Sequence, residues 1–131
     1  MVKYRALAVI TAAVLLGACA ANRTAAIRNV TDSPVVAASG QTLTSADVER
    51  AIRRAGAQLG WTMRTVHPGL IEATLVLRTH SATVEIPYSP KSYSIEYKTS
   101  TNLQADGKVI HQNYNGWVEN LDRGIRVQLV N

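Results

Sequence analysis

Apolar residues recur along this chain with two different periods, and the change of period marks out the elements. Between positions 44 and 60, Val48, Ala51, Ile52, Ala55 and Leu59 fall three or four residues apart, the single stripe of an amphipathic helix. Thr44 stands where a hydroxyl accepts from the free N–H groups of the first turn, Asp47 follows three residues on, and Leu43 is placed to staple against Val48. Gly60 stops the run in the left-handed conformation that side chains resist.

Over 61–98 the period drops to two. Trp61 and Met63 lead into His67-Pro68-Gly69, where proline presets one central turn position and glycine accepts the positive φ of the next. Ile71, Ala73, Leu75 and Leu77 then alternate with Glu72, Thr74, Val76 and Arg78. Val84, Ile86 and Tyr88 alternate with Thr83 and Glu85, and Tyr93, Ile95 and Tyr97 with Ser94, Glu96 and Lys98. A turn near His80-Ser81 is required, because Leu77 and Val84 are an odd number of residues apart and one unbroken strand would send them to opposite faces. Ser89-Pro90 turns the chain again, and Asp106-Gly107 predicts a small extra hairpin or an ordered loop over 102–110. Helical spacing returns through Tyr114, Trp117, Val118, Leu121, Ile125 and Leu129, giving a helix over 113–130 with Asn113 as its cap. Gly124 and the alternation of Ile125, Val127 and Leu129 leave a closing strand as the alternative.

A sheet with one apolar face must cover it, and two helices with one apolar stripe each are what the chain provides. The expected architecture is α+β: a two-layer sandwich with a four-stranded antiparallel meander and two helices on one face, in the order α-β-β-β-β-α, as a single domain over 44–131. Residues 20–43 are rich in Ala, Ser, Thr, Asn and Gly around Pro34 and read as a tether. Ile27 and Val30 offer a short extra strand over 26–31.

The N-terminal residues change the picture. Lys3 and Arg5 precede an apolar run over 6–16 broken by Thr11, and Leu16-Gly17-Ala18-Cys19 follows. The run is too short for a bilayer span, which takes about 20 apolar residues. A branched apolar residue, two small ones and a cysteine resemble the lipobox of bacterial lipoproteins. The resemblance implies a signal peptide over 1–18, diacylglycerol and an N-acyl chain on Cys19 with no other cofactor, and an acylated N-terminus and tether over 19–43. Ala20, where enteric lipoproteins carry an inner-membrane retention aspartate, implies the outer membrane, lipid-anchored on the periplasmic face. Ala18-Cys19-Ala20 also fits ordinary signal peptidase, which would release a soluble periplasmic protein. Cys19 is the single cysteine, so no disulfide framework exists within the chain.

Loss of Lys3 and Arg5 leaves 12 basic residues of 14 against 9 acids, lowering the formal charge from +5 to +3. Such mild basicity suits an anionic envelope lipid better than nucleic acid, which the envelope address also argues against. Ser92-Tyr93-Ser94-Ile95-Glu96-Tyr97, Asn102-Leu103 and Ile110-His111-x-Asn113-Tyr114-Asn115-x-Trp117-Val118-x-Asn120-Leu121 look like the motifs of small uncharacterised Gram-negative lipoproteins. That likeness covers about the C-terminal third and implies a class without an activity.

Tyr88, Tyr93, Tyr97, Tyr114 and Trp117 crowd one stretch of the chain. Periodicity assigns Tyr93, Tyr97, Tyr114 and Trp117 inward, as the wide end of the core. The functional reading joins Tyr93, Tyr97 and Trp117 to Asn102, His111, Asn113 and Asn115 as a candidate binding site, where amides and an imidazole beside aromatic faces suit a glycan or peptide. His67, His80 and His111 match no metal spacing, and no nucleophile is nominated, so no enzyme is expected. Two functions remain: a non-catalytic envelope assembly or interaction module docking on another envelope protein, or a ligand-binding lipoprotein for a glycan, peptidoglycan fragment or lipopolysaccharide near His111.

Overall fold

The computed structural model describes residues 23–131; residues 16–19 of the lipobox, and with them Cys19 and the signal peptide, lie outside the described residues. Among the described residues the chain forms strands β1 (Thr24–Ala26) and β2 (Val30–Pro34), helix α1 (Ser45–Gln58), strands β3 (Thr62–His67), β4 (Leu70–Leu77), β5 (His80–Pro87), β6 (Ser92–Thr101) and β7 (Val109–His111), and helix α2 (Gln112–Leu129).

α1 starts on a complete capping box: the Asp47 N–H donates to Thr44 Oγ1 at 3.2 Å, and the Thr44 N–H donates back to the Asp47 carboxylate at 2.9 Å. Val48, Ala51, Ile52 and Ala55 are buried as their spacing predicts, but Leu59 is the C-terminal cap residue and exposed. Gly56 is buried with them, and a Cβ there would collide with the Met63 side chain. The bare glycine lets the helix settle onto β3.

The main sheet is antiparallel and five-stranded, in the order β2-β6-β5-β4-β3. The meander β3-β4-β5-β6 is the expected one, but β2 adds a fifth strand along the outer side of β6, while β1 and β7 pair as a separate two-stranded ribbon. Two segments of the expected tether therefore belong to the folded body. The two strands straddle residues 27–29, so the short strand expected over 26–31 falls across their break. Their signal is faint because both are short, and because Asp32 at φ 48 and a register shift between Val30 and Ser33 interrupt the alternation. Of the two forms expected over 102–110, the ordered loop forms and the local hairpin does not: Asp106 accepts the Lys108 and Val109 N–H groups around Gly107, and β7 reaches back to β1, pairing Ile110 with Ala25.

Two turns and caps also differ. Leu77 pairs with His80, so the turn is Arg78-Thr79, with Arg78 at φ 58, rather than His80-Ser81. Leu77 lies outside the apolar face and is 45% exposed, while Ala82 takes an inward position opposite Leu75. At α2, the cap is His111, whose Nδ1 accepts from the Asn113 N–H at 3.2 Å, not Asn113 itself. α2 runs unbroken through Gly124, where a Cβ would sit 3.5 Å from Ala55 Cβ of α1. The closing-strand alternative falls, since Ile125 and Leu129 are buried and Val127 between them is exposed.

Ile71, Ala73, Leu75, Ala82, Val84, Ile86 and Ile95 from the sheet form one core with Val48, Ile52 and Ala55 of α1 and Tyr114, Val118, Leu121 and Ile125 of α2. The alternate positions of the sheet carry charge. Glu72 on β4 accepts from Arg64 on β3 at 2.9 Å and from Lys98 on β6 at 2.6 Å, and Lys98 lies 3.3 Å from Glu85 on β5. Hydrogen bonds from Lys98 and then Arg64 hold the Glu72 carboxyl below its ordinary value, and Glu72 pushes Lys98 up.

Candidate functional site

The residues nominated from the sequence separate into three groups. Tyr93 is fully buried, and its hydroxyl donates to Asp122 Oδ1 at 2.6 Å. Asp122 is itself buried on α2 and also accepts from Arg126 one turn on. Burial first, and then the Asp122 carboxylate, push the Tyr93 phenol above its ordinary value. This group braces α2 against β6, with the Tyr93 hydroxyl and the Asp122 carboxylate turned to each other rather than to a ligand.

The second group ties the N-terminal strands to the body. Asn115 donates from its amide to the Ala26 carbonyl at 2.8 Å and accepts the Arg28 N–H at 3.0 Å. Tyr97 donates its backbone N–H to Asn29 at 2.9 Å, hydrogen-bonds Ser100 Oγ through its hydroxyl at 2.8 Å, and meets the Tyr114 ring edge to face at 5.6 Å. Tyr114 is completely buried with its hydroxyl unpaired, and burial pushes that phenol up. Asn102, at φ 58 in the tight connection after β6, donates to Thr79 Oγ1 at 3.0 Å and so braces the β4–β5 turn.

The third group does line a hollow. His111, Asn113 and Trp117 enclose about 290 Å³ together with Arg23, His80 and Leu103. Trp117 packs half-buried against the core, so it gives this hollow an indole wall rather than anchoring the interior. The two imidazoles are held in complementary states. His80 Nδ1 faces the Asn102 carbonyl at 2.6 Å and must carry the proton, which leaves Nε2 as an acceptor in the neutral ring. His111 Nδ1 accepts from the Asn113 N–H, which leaves the proton on Nε2. Two imidazoles, an arginine, an amide and an indole thus line one hollow.

Sequence reasoning found half of this lining and missed Arg23, His80 and Leu103. Leu103 lies within the Asn102-Leu103 motif, and His80 sits at a strand turn, where a structural role is the simplest reading. Arg23 gives no signal, since it stands in the stretch whose composition reads as a tether. Of the nominated set, Tyr93, Tyr97, Asn102 and Asn115 are not among the residues lining the hollow. No group of three or more His, Cys, Asp or Glu side chains among the described residues is placed to hold a metal ion, and no described helix is long and apolar enough to cross a membrane.

No family model, no curated protein and no solved structure matches the chain.

Proposed function

We propose that the chain is a lipoprotein, acylated on Cys19 and held at the periplasmic face of the outer membrane, whose domain is a non-catalytic module that docks on another envelope protein. The signal-peptide pattern and lipobox support the anchor. The docking reading rests on one observation: β3, one of the two outer strands of the sheet, is exposed at every position except Met63, with Val66 42% exposed. An open strand edge is a ready template for a partner strand, and the charged ladder of Arg64, Glu72, Lys98 and Glu85 beside it supplies a rim that selects the partner.

The hollow at His80, His111 and Trp117 favours a second reading, a glycan-binding site. Its volume of about 290 Å³ lies at the small end of ligand pockets, enough for one sugar ring and not for a lipopolysaccharide. Pulldown of the acylated protein from detergent-solubilised envelope separates the two readings. The docking module recovers a specific envelope protein, and Val66→Lys, which places a charge on the edge, loses it. Recovery of no protein, together with a shift of the Trp117 indole signal on titration with a peptidoglycan disaccharide, would overturn docking in favour of the glycan site.

A further inference from the structure

The folded body begins almost at the acylation site. The Arg23 carbonyl already accepts the Gln112 N–H at 2.8 Å, and β1 starts at the next residue. Only four residue steps separate Cys19 from Arg23, which fully extended cover about 14 Å. An acyl anchor at Cys19 would therefore hold Arg23 within about 14 Å of the acylated residue and keep this end of the domain near the bilayer.

The β1–β7 ribbon that starts at Arg23 carries cations at both of its ends. Arg23 and Arg28 flank β1 and are exposed, and so is Lys108, whose carbonyl accepts the Ile27 N–H at 2.9 Å. Of the nearby acids, Asp106 is turned to its own loop, accepting the Lys108 and Val109 N–H groups at 2.8 Å each. Glu119 lies one turn along α2 from Asn115, which is the residue that holds Ala26 and Arg28. Trp117, half-buried on the same helix, lines the hollow beside Arg23, and an indole of that kind suits the depth of phospholipid head groups. The opposite end of the molecule carries the β5–β6 turn around Lys91, separated from His80 by the eight residues of β5, about 25 Å of strand.

We propose that the end of the domain formed by Arg23, Arg28, Lys108 and Trp117 rests on the anionic phospholipid surface, fixing the domain in one orientation with the β5–β6 turn pointing away from the bilayer. The inference rests on acylation of Cys19, which places the start of the fold, and adds the face that meets the lipid.

The test uses the mature acylated protein in vesicles. Because acylation consumes the chain's one cysteine, an introduced cysteine is unique and takes a nitroxide label. Gln112→Cys reports the proposed contact face and Lys91→Cys the far end; both positions are exposed. In vesicles of phosphatidylglycerol and phosphatidylcholine doped with a nickel-chelating lipid, the label at 112 relaxes several-fold faster than the label at 91. The contrast shrinks in phosphatidylcholine alone and on combining Arg23→Glu, Arg28→Glu and Lys108→Glu, each cation contributing about a five-fold preference for the anionic surface. Equal relaxation at the two positions, or a contrast indifferent to charge, overturns the orientation. Acylated protein giving equal relaxation sinks this inference and leaves the lipoprotein reading standing, whereas a chain whose mass carries no acyl group sinks both.

Discussion

Two tyrosines buried to the same degree have opposite polar environments. Tyr93 donates to a buried carboxylate at 2.6 Å, whereas the Tyr114 hydroxyl has no partner. Removing the first hydroxyl leaves Asp122 short of a donor in a buried site, which costs about 1 to 3 kcal/mol; removing the second relieves an unmet desolvation cost. Tyr93→Phe is therefore expected to lower the free energy of unfolding by about 1 to 3 kcal/mol, and Tyr114→Phe to leave it unchanged or raise it by up to about 1 kcal/mol. Urea denaturation of the two variants checks this. An equal loss in both would mean that the Tyr114 hydroxyl is satisfied.

The capping box of α1 belongs to the scale of elements. Thr44→Ala removes the hydroxyl that accepts the Asp47 N–H and is expected to cost about 1 kcal/mol. The pH dependence carries a sign. Hydrogen bonding from the Thr44 backbone, then its hydroxyl, holds the Asp47 carboxyl below its ordinary 3.8. Its contribution is present above that value and is lost as pH falls through the depressed value of the folded state. Only the bond that the Thr44 hydroxyl donates to the Asp47 carboxylate both titrates and is removed by Thr44→Ala, so thermal melts of parent and variant are expected to draw closer toward acid pH without meeting, the Asp47 N–H to Thr44 Oγ1 bond keeping its share. A gap that stays constant would place the cap's contribution elsewhere.

Elements were legible where one residue pattern carried several signals at once. Thr44, Asp47 and Leu43 marked one end of α1 and Gly60 the other, and the inward set Ile71, Ala73, Leu75, Val84 and Ile86 came straight from period-two alternation. Illegible were the features decided by distant partners. β1 has three residues and no alternation to read, and it exists because Ile110 and its neighbours pair with it across the chain. Gly56 looked like any helical residue until Met63 was set against it. The candidate site was half legible for the same reason: His111, Asn113 and Trp117 share one sequence motif, whereas Arg23 and His80 join them through the fold.

At the scale of the whole molecule, the early start of the fold alters what the proposed anchor would do. With 20–43 as a tether, an anchored domain would search a volume far from the bilayer; with β1 beginning at Thr24, the proposed anchor would hold it closer. Under the proposed anchoring, this restricts which faces a protein partner can reach, leaving the open β3 edge and the charged ladder as the proposed docking surface. Everything at this scale depends on Cys19. Intact-mass analysis of the mature protein extracted from the envelope tests that most directly. The account predicts a chain beginning at Cys19 and heavier than its residues by a diacylglycerol and an N-acyl group; an unmodified chain beginning at Ala21 would contradict it.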